Sequence, residues 1–389
     1  MRFYILLALT ALLFSCQSEN LPNKQPQKHE ITLVYMIADN DLAPYALKDI
    51  NEMERAFIPN GRDKWLVYID TYASAGLPQH PVLLEITPDT SDEVKSKIIY
   101  TYPEQNSADK HVFQSVLKDA FSVYRGTNHP KGLVLWSHGN AWLPNDYHID
   151  NNRNTAKNIT TPFFKSFGKD NVPTDSAMEI TELAESLTPY HFDYLLFDAC
   201  FMASIEVLYE LRHTADFFIA SPAEILADGF PYQQIIPYLT NNLQLEKAVK
   251  TYYEYYASQK GAYQSATVTL INGQFLEHLA QICRKITTEM KKTTKLQIDD
   301  LQQYSRNNEK LLFDLKQILH SQPNAIPEIN DCWQKLCKVE KHTTKMANLS
   351  LDNCHGISAY LFNSNTSLNE SYKQLSWYKT TNLASYFGY

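Results

Sequence analysis

The sequence predicts an α/β fold in which helices cover both faces of a mostly parallel sheet. Short apolar, β-branched or aromatic runs alternate along the chain with longer amphipathic stretches, which is the pattern of strands and helices in such a sandwich. The 389 residues are 44% hydrophobic and 20% charged, so the chain has ample apolar material for a buried core. We therefore expect a doubly wound α/β/α sandwich with a helical elaboration at its C-terminal end.

Most of the expected sheet lies within the first 240 residues. Its strands are short runs rich in Val, Ile, Leu and aromatic residues, separated by helical patterns, several of which open near a proline or with capping or acidic residues. The predicted strands are 31–38, 65–70, 82–86, 132–137, 194–198 and 217–220. The predicted helices are 43–57, 109–124, 175–187 and 202–212.

After Leu239 the pattern changes to long helical stretches with two returning strands. The predicted helices are 245–258, 273–291 and 301–320, and the predicted strands are 266–271 and 356–362. We expect residues 30–240 to form the core and residues 241–389 to elaborate the same domain. Residues 140–174 are rich in Asn, Asp and Thr, which predicts an exposed loop.

The charge pattern argues against a nucleic-acid-binding protein. The chain has 43 acidic and 35 basic side chains, a formal net charge of -8, and no block of like charge. A nucleic-acid-binding surface would need clustered Lys and Arg to neutralise phosphates. The 25 Tyr residues are better explained as half-buried core positions than as a base-stacking surface.

The first sixteen residues have the features of a bacterial lipoprotein signal peptide. Arg2 supplies the positive start, and residues 5–14 form an apolar run that is too short to span a bilayer. Cys16 would be the lipidated first residue of the mature chain, followed by a flexible tether over residues 17–29. We expect the protein in the cell envelope or at the cell surface, held on the membrane by lipid alone. The alternative is a plain secretory signal with an incidental cysteine.

The five remaining cysteines do not form a recognisable framework. Because their number is odd, at least one is free or pairs outside the chain. Cys332 and Cys337 have the spacing of neither a zinc knuckle nor a redox pair, so we predict no metal site. The five are Cys200, Cys283, Cys332, Cys337 and Cys354.

Two reactive side chains follow two of the predicted parallel strands. His138 and Gly139 come directly after strand 132–137, and Cys200 comes directly after strand 194–198. The carboxyl ends of neighbouring parallel strands converge at one edge of a sheet, so these side chains can meet. Cys200 also opens the predicted helix 202–212, whose dipole would lower the thiol pKa and favour a nucleophilic thiolate. His138 could then act as acid and base, and the amides of Gly139 and Cys200 could bind an oxyanion.

Four ordered motifs resemble the clostripain family of cysteine peptidases. The two central motifs surround His138 and Cys200, and the other two lie near the N-terminus and after the cysteine helix. They read LWSHGNAW at 135–142, FDACFMA at 197–203 with Glu206 following, DNDL at 39–42 with a later Glu52-Met53, and ASPAE at 220–224 running through DGFPY at 228–232. The resemblance extends in order from about residue 31 to 240, and weakly to the end through GISAY at 356–360.

This resemblance implies a caspase-like fold, shared with legumains and gingipains, and hydrolysis of peptide bonds by a dyad of His138 and Cys200. It implies peptide or protein substrates, no cofactor for the chemistry and cleavage after Arg or Lys, because an acidic pocket can pair with a basic side chain. Asp198 and Asp228 occupy the matching pocket positions. Each also has a purely structural alternative, since Asp198 could cap the following helix and Asp228 could serve the turn before Gly229. A monomer is expected.

Loop 140–174 carries two further expectations that depend on the resemblance. Some family members cut themselves between the histidine and the cysteine, and the loop has basic residues at which this could happen: Arg153, Lys157, Lys165 and Lys169. Clostripain itself is associated with calcium, and the loop contains oxygen-bearing side chains near Asp146, His148, Asp150 and Asn151, but their spacing matches no calcium loop known to us.

Two other functions compete with an active peptidase. The chain could be a catalytically silent surface lipoprotein that binds peptides or partners on the same scaffold, or a cysteine hydrolase that acts on another substrate. Loss of cleavage in a Cys200 variant, and labelling of Cys200 by a thiol-reactive basic peptide, would separate them.

Overall fold

The computed structural model describes residues 28–72, 77, 80–144, 147, 177–291, 296–306 and 310–389. The strands are β1 Lys28–Ile37, β2 Asp63–Asp70, β3 Val82–Glu85, β4 Lys97–Thr101, β5 Thr127–Trp136, β6 Phe192–Asp198, β7 Ala215–Ala220, β8 Thr267–Asn272, β9 Phe313–Asp314, β10 Cys337–His342, β11 Lys345–Met346, β12 Leu349–Ser350 and β13 Ser358–Ala359. The helices are α1 Ala43–Ala56, α2 Lys110–Ser122, α3 Ile180–Leu187, α4 Ile205–Glu210, α5 Tyr232–Leu239, α6 Leu245–Ala257, α7 Leu276–Glu289, α8 Leu315–His320, α9 Ile326–Leu336, α10 Thr366–Tyr372, α11 Ser376–Thr381 and α12 Leu383–Phe387.

A nine-stranded sheet in the order β10-β8-β7-β6-β5-β1-β2-β3-β4 forms the centre of the molecule. Its five inner strands, β7-β6-β5-β1-β2, are parallel, and an antiparallel pair extends it at each edge. The inner strands are almost wholly buried, as a sheet covered on both faces requires. The predicted fold class, with its mostly parallel central sheet, is confirmed.

The direction of the strand crossovers separates the helices into two layers. From β1 the chain moves through α1 to β2, whereas from β5 it moves the opposite way through α3 to β6 and α4 to β7. Because such crossovers are right-handed, these two movements put their helices on opposite faces of the sheet. The packing agrees, because α5 contacts both α1 and α6 in one group of helices. In the other group, α2 contacts α3, α3 contacts α4, and α4, α7 and α11 contact one another.

The reversal of strand order creates a crevice between β1 and β5. In open α/β sheets, ligands bind at such a switch point, outside the carboxyl ends of the strands. The segments that follow β1, β5 and β6 all lie at this edge, and they carry Asp41, His138 and Cys200 respectively.

All eight predicted strands correspond to observed strands, although predicted strand 356–362 is reduced to β13. Strand β1 begins at Lys28, so the last two residues of the predicted tether belong to the sheet. The predictions missed the strands β4, β9, β10, β11 and β12 and the helices α5, α9, α10, α11 and α12. Helix 202–212 is shorter than predicted, because residues 200–203 form a turn and α4 begins at Ile205.

Predicted helix 301–320 is wrong over its first fourteen residues. Only α8 is helical there, and the described residues before it run extended. The backbone amide of Tyr304 donates to the Leu312 carbonyl at 3.0 Å, and that of Asp314 donates to the Gln302 carbonyl at 2.9 Å. These tertiary hydrogen bonds override the helical periodicity of the segment.

Two strands after residue 240 join the central sheet, since β8 pairs with β7 and β10 pairs with β8. The pairs β11-β12 and β13-β9 form two separate small sheets. The proposed division into core and elaboration stays a prediction. Among the helices in the described ranges, none is both long and apolar enough to cross a membrane.

Candidate functional site

The carboxyl ends of β5 and β6 bring His138 and Cys200 to one cavity. Trp136 on β5 pairs with Asp198 on β6. His138 lies two residues after Trp136, and Cys200 lies two residues after Asp198. Both side chains line a cavity of about 370 Å³. The sequence-based expectation that these two residues converge at one edge of the sheet therefore agrees with the geometry.

Gly139 is packed directly against the backbone of Cys200. A Cβ atom at position 139 would lie 2.3 Å from the Cys200 carbonyl oxygen and 2.7 Å from its amide nitrogen. No side chain fits at such distances, so glycine is required for the segments after β5 and β6 to approach this closely. Phe201, immediately after Cys200, has a positive φ of 65°, a conformation that is costly for a bulky residue and that clusters at functional sites.

The Cys200 thiol lies beneath the segment that follows β7. Its Sγ accepts a hydrogen bond from the Ile225 amide at 3.2 Å and donates to the Ile225 carbonyl at 3.7 Å. Burial raises the pKa of the Cys200 thiol to about 12, and the negative charge of Glu224 adds to the rise. The thiol is therefore protonated near neutral pH in this conformation. The expected lowering of this pKa by a helix start is not found, because α4 begins five residues later, after the Ser204 cap.

The His138 ring is buried and held by a carboxylate. Its Nε2 lies 2.7 Å from Asp41 Oδ1, in the segment after β1. Since a carboxylate accepts, Nε2 carries the proton and Nδ1 is the basic nitrogen of the neutral ring. The imidazole thus has a fixed tautomer.

Asp198 is a buried carboxylate in the cavity wall, with two further acids beneath it. Its Oδ2 accepts hydrogen bonds from the Phe230 amide at 3.1 Å and from the Tyr232 hydroxyl at 2.9 Å. Burial raises the pKa of Asp198 to about 6, and the charge of Glu52 on α1 contributes to the rise. Asp49, also on α1 and wholly buried, has its pKa raised by burial and by Asp198. This side of the cavity therefore favours a positively charged group, which would compensate the crowded carboxylates.

Asp228 lies in the same cavity but is paired with a lysine. Its Oδ1 is 2.7 Å from Lys48 Nζ, and both side chains are partly exposed, at 30% and 44%. Ion pairs at this exposure contribute about 0–1 kcal/mol. The Asp228 carboxylate is consequently available to another cation at little cost.

A buried ion pair completes the wall next to Cys200. The Glu224 Oε2 accepts a hydrogen bond from Arg306 Nε, and the two side chains are 5% and 12% exposed. The second carboxylate oxygen of Glu224 is buried and has no hydrogen-bond partner within the described part of the chain. The two charges act in opposite directions on the Cys200 thiol, since Glu224 raises its pKa and Arg306 lowers it.

The family model of the clostripain family of peptidases matches residues 34–385, which is most of the chain. The chain belongs to the clostripain family. It is therefore a cysteine peptidase with a caspase-like fold. The chemistry of a clostripain-family peptidase needs no cofactor, as the resemblance of the motifs implies.

Solved structures agree with this assignment. The peptidase is 28% identical, with a TM-score of 0.76, to a secreted C11 cysteine protease from Bacteroides thetaiotaomicron in complex with an irreversible peptide inhibitor, covering 91% of this chain and 99% of that one. It is 28% identical, with a TM-score of 0.73, to an inactive zymogen C11 protease from Parabacteroides distasonis, covering 92% and 99%. A second secreted protease from B. thetaiotaomicron, iotapain, shares the fold at 18% identity and a TM-score of 0.74, covering 91% and 99%. No curated protein matches the chain.

Several residues of the clostripain-family site were not assigned roles from sequence. Glu224 and Asp41 lie within the recognised motifs. Each is a charged residue shortly after a strand, and this position could have indicated that they belong to the site. Arg306 and Met346 reach the cavity from the C-terminal part of the chain. Their local sequence contains no signal for this, because only the fold brings them there.

Other sequence-based expectations lie outside the described residues. These are the signal peptide 1–16 with Cys16, most of the tether, the four basic residues of loop 140–174 (Arg153, Lys157, Lys165 and Lys169), and its calcium candidates Asp146, His148, Asp150 and Asn151.

Proposed function

We propose that this peptidase is an endopeptidase that cleaves after Arg or Lys, with Cys200 as nucleophile and His138 as acid and base. One observation carries the proposal: both side chains line a single cavity whose wall also contains Asp198 and Asp228. Carboxylates close to a nucleophile suit a basic side chain on the substrate residue whose carbonyl is attacked.

The proposed reaction uses the fixed tautomer of His138. Its Nδ1 takes the proton of Cys200, and the sulfur forms a bond to the carbonyl carbon of the substrate. The amides of Cys200 and Gly139 donate hydrogen bonds to the resulting oxyanion. His138 then gives the proton to the leaving amine as the C–N bond breaks. Water, deprotonated by the same ring, finally hydrolyses the thioester and restores the thiol.

Asp198 and Asp228 divide the recognition of the basic side chain in this proposal. Asp198 is buried and fixed by Phe230 and Tyr232, so it supplies a rigid acceptor at the base of the pocket. Asp228 is nearer solvent and exchanges Lys48 for the substrate cation. A cation bound between them lowers the pKa of Asp198 and keeps it ionised.

We further propose that the peptidase works outside the cytoplasm, anchored by lipid on Cys16 and acting on peptide or protein substrates as a monomer. The signal-like residues 1–16 support export, and two of the similar structures are described as secreted proteases. Radiolabelled palmitate incorporation that is lost in Cys16→Ala would support the anchor. Incorporation that survives this substitution would contradict it.

Substrate profiling of the chain without its signal peptide tests the activity. We expect cuts in a diverse peptide mixture to follow Arg or Lys, and we expect Cys200→Ala and His138→Ala to abolish them. Cys332→Ser is the matched control and should cut normally, because this thiol lies outside the cavity. Retained cleavage in Cys200→Ala would contradict the nucleophile, and cuts after other residues would contradict the acidic pocket alone.

Self-cleavage within loop 140–174 is part of the proposal, since a similar structure is that of an inactive zymogen and the Cys200 thiol lies protonated beneath Ile225. The expected result is that purified protein converts to two chains, whereas Cys200→Ala remains a single chain. The rival function, a peptide-binding surface lipoprotein without turnover, predicts that neither protein is cut and that substrate peptides are bound intact.

A further inference from the structure

Three potential metal ligands converge away from the catalytic cavity, at the end of edge strand β10. Glu340 and His342 point to one side of this strand, two residues apart, and Cys354 approaches from the segment after β12. One ligand atom from each residue lies within 4.8 Å of the others. Glutamate oxygen, histidine nitrogen and cysteine sulfur are the three ligand types that proteins use for zinc.

The His342 ring is oriented as a metal-bound histidine would be. Its Nδ1 is 2.9 Å from the Thr343 carbonyl oxygen, which can only accept, so Nδ1 carries the proton. The lone pair is therefore on Nε2. A backbone carbonyl that fixes the tautomer in this way is the usual partner behind a metal-ligating histidine.

Glu340 presents an acceptor to this lone pair. Its Oε1 lies 3.7 Å from His342 Nε2 and is buried with no close hydrogen bond from the described residues, and the Cys354 thiol interacts with the same carboxylate. Two acceptor atoms that face each other across a short gap, one of them desolvated, are unfavourable unless a cation or a proton lies between them.

Cys354 completes the group with a buried sulfur that has the Gly356 backbone amide as a hydrogen-bond donor. The Tyr304 hydroxyl lies 3.4 Å from Cys354 Sγ and 2.6 Å from Asp314 Oδ2. Because this hydroxyl has one proton and gives it to the nearer carboxylate, the Gly356 amide is the donor that would support a metal-bound thiolate. On zinc binding the thiol proton leaves to solvent, and the sulfur lone pair forms the bond to the metal.

The geometry points to a zinc site formed by Glu340, His342 and Cys354. Tetrahedral coordination with bonds of about 2.0–2.3 Å separates ligand atoms by roughly 3.3–3.8 Å. The Glu340–His342 distance of 3.7 Å already fits, and the remaining separations need to close by about 1 Å or less. The side chains of His342 and Glu340 are 29% and 26% exposed, so water can take the fourth position.

The site joins the two ends of a hairpin that reaches the catalytic cavity. His342 precedes β11, Cys354 follows β12, and between them Met346 and Ala347 line the cavity next to Cys200. Zinc would cross-link the base of this hairpin and reduce the conformational freedom of its tip. Its role is therefore structural and separate from peptide hydrolysis.

Metal binding to the full-length chain carrying Cys200→Ala tests the site independently of activity. This background removes the thiol in the cavity and any self-cleavage. After treatment with a chelator, we expect one zinc per chain in competition with a chromophoric chelator. We also expect cobalt to produce a thiolate-to-metal charge-transfer band in the near ultraviolet, because Cys354 ligates it.

Substitution of the ligands distinguishes the site from adventitious binding. His342→Gln should weaken zinc binding by at least about tenfold, and because this residue is partly exposed on an edge strand the variant should fold. Cys354→Ala should remove the cobalt band. The matched controls, His320→Gln and Cys332→Ala, should bind zinc as the background does. The inference is overturned if the background binds no zinc, or if His342→Gln and Cys354→Ala bind both metals unchanged.

Discussion

Asp198 is the residue whose ionisation controls the proposed pocket most directly. Because the pKa of this carboxyl is raised to about 6, it is ionised at neutral pH and becomes protonated as the pH falls through 6. We predict that KM for an Arg reporter peptide rises below about pH 6. KM for a reporter peptide whose side chains do not enter the pocket should stay level. Initial rates between pH 5 and 8 measure this. Asp198→Asn should raise KM at all pH values and remove the dependence; a dependence that survives in this variant contradicts the role of Asp198.

Burial is the largest cause of the raised pKa of the Cys200 thiol, and the ion pair of Glu224 and Arg306 adds two opposing contributions to it. Arg306→Met leaves a carboxylate without its partner beside the sulfur, so we predict that the acid limb of kcat/KM and of Cys200 alkylation moves up by about 1 pH unit. Glu224→Gln should move it down. The double variant should return close to the original profile, because both charges are then absent.

A purely structural role for this pair predicts a different result. The single variants would lose activity or stability without any shift of the pH profile, and the double variant would be no better than Arg306→Met. Thermal melting of each variant, measured beside the alkylation rates, separates the two explanations.

For single residues, the sequence predicts which side chains lie in the cavity better than it predicts their electrostatic surroundings. His138, Cys200, Asp198 and Asp228 all line one cavity, and each could be found because it follows a strand or occupies a recognised motif. The direction of the Cys200 pKa could not, since it depends on burial under Ile225. That contact joins segments 25 residues apart.

Among the elements, the inner strands are held at their amino ends by a buried charge network, opposite the cavity. Lys131 on β5 is 2% exposed, and its Nζ lies 2.6 Å from Asp63 Oδ1 on β2 and 3.2 Å from Glu30 Oε2 on β1. Burial alone would raise the pKa of both carboxyls, but their basic partners outweigh it and lower each pKa.

We predict that Lys131→Met lowers the free energy of unfolding by about 3–5 kcal/mol, because two carboxylates lose their buried partner. Since both pKa values are lowered in the folded state, this contribution is present above pH about 4.5 and is lost as the pH falls through the lowered values. Urea denaturation at pH 7 and at about pH 2 measures it. Lys335→Met, which removes an exposed i,i+4 pair with Asp331, is the control and should change the free energy by less than about 1 kcal/mol. Equal effects of the two variants would contradict the network.

Edge strand β10 and the extended segment around Tyr304, which the sequence failed to predict, have a common physical cause. The inner strands of the sheet are continuous apolar runs, and periodicity identified all of them. Edge strand β10 has the polar sequence CKVEKH, which carries no such signal, and its strand conformation comes from pairing with β8. The extended segment around Tyr304 likewise follows from hydrogen bonds to residues 312–314.

In the molecule as a whole, the proposed catalytic cavity and the buried charge network of Lys131 lie at opposite ends of one sheet. The carboxyl ends of β1, β5 and β6 carry Asp41, His138 and Cys200, and the C-terminal part of the chain returns to this edge with Arg306 and the β11–β12 hairpin. The parallel core of the sheet could be predicted from the alternation of strand and helix patterns along the sequence. The contribution of distant segments to the cavity wall could not be predicted, because it depends on long-range packing alone.

The most direct test of the central claim is covalent labelling of the whole protein. An irreversible thiol-reactive peptide ending in Arg, with a matched peptide ending in Asp, should be incubated with the unmodified protein and located by intact mass and peptide mapping. We predict one adduct, on Cys200, formed much faster by the Arg peptide, absent in Cys200→Ala and strongly slowed in His138→Ala. No adduct on Cys200, or equal labelling of Cys337, the most exposed of the five cysteines in the described chain, would contradict the assignment of Cys200 as the nucleophile.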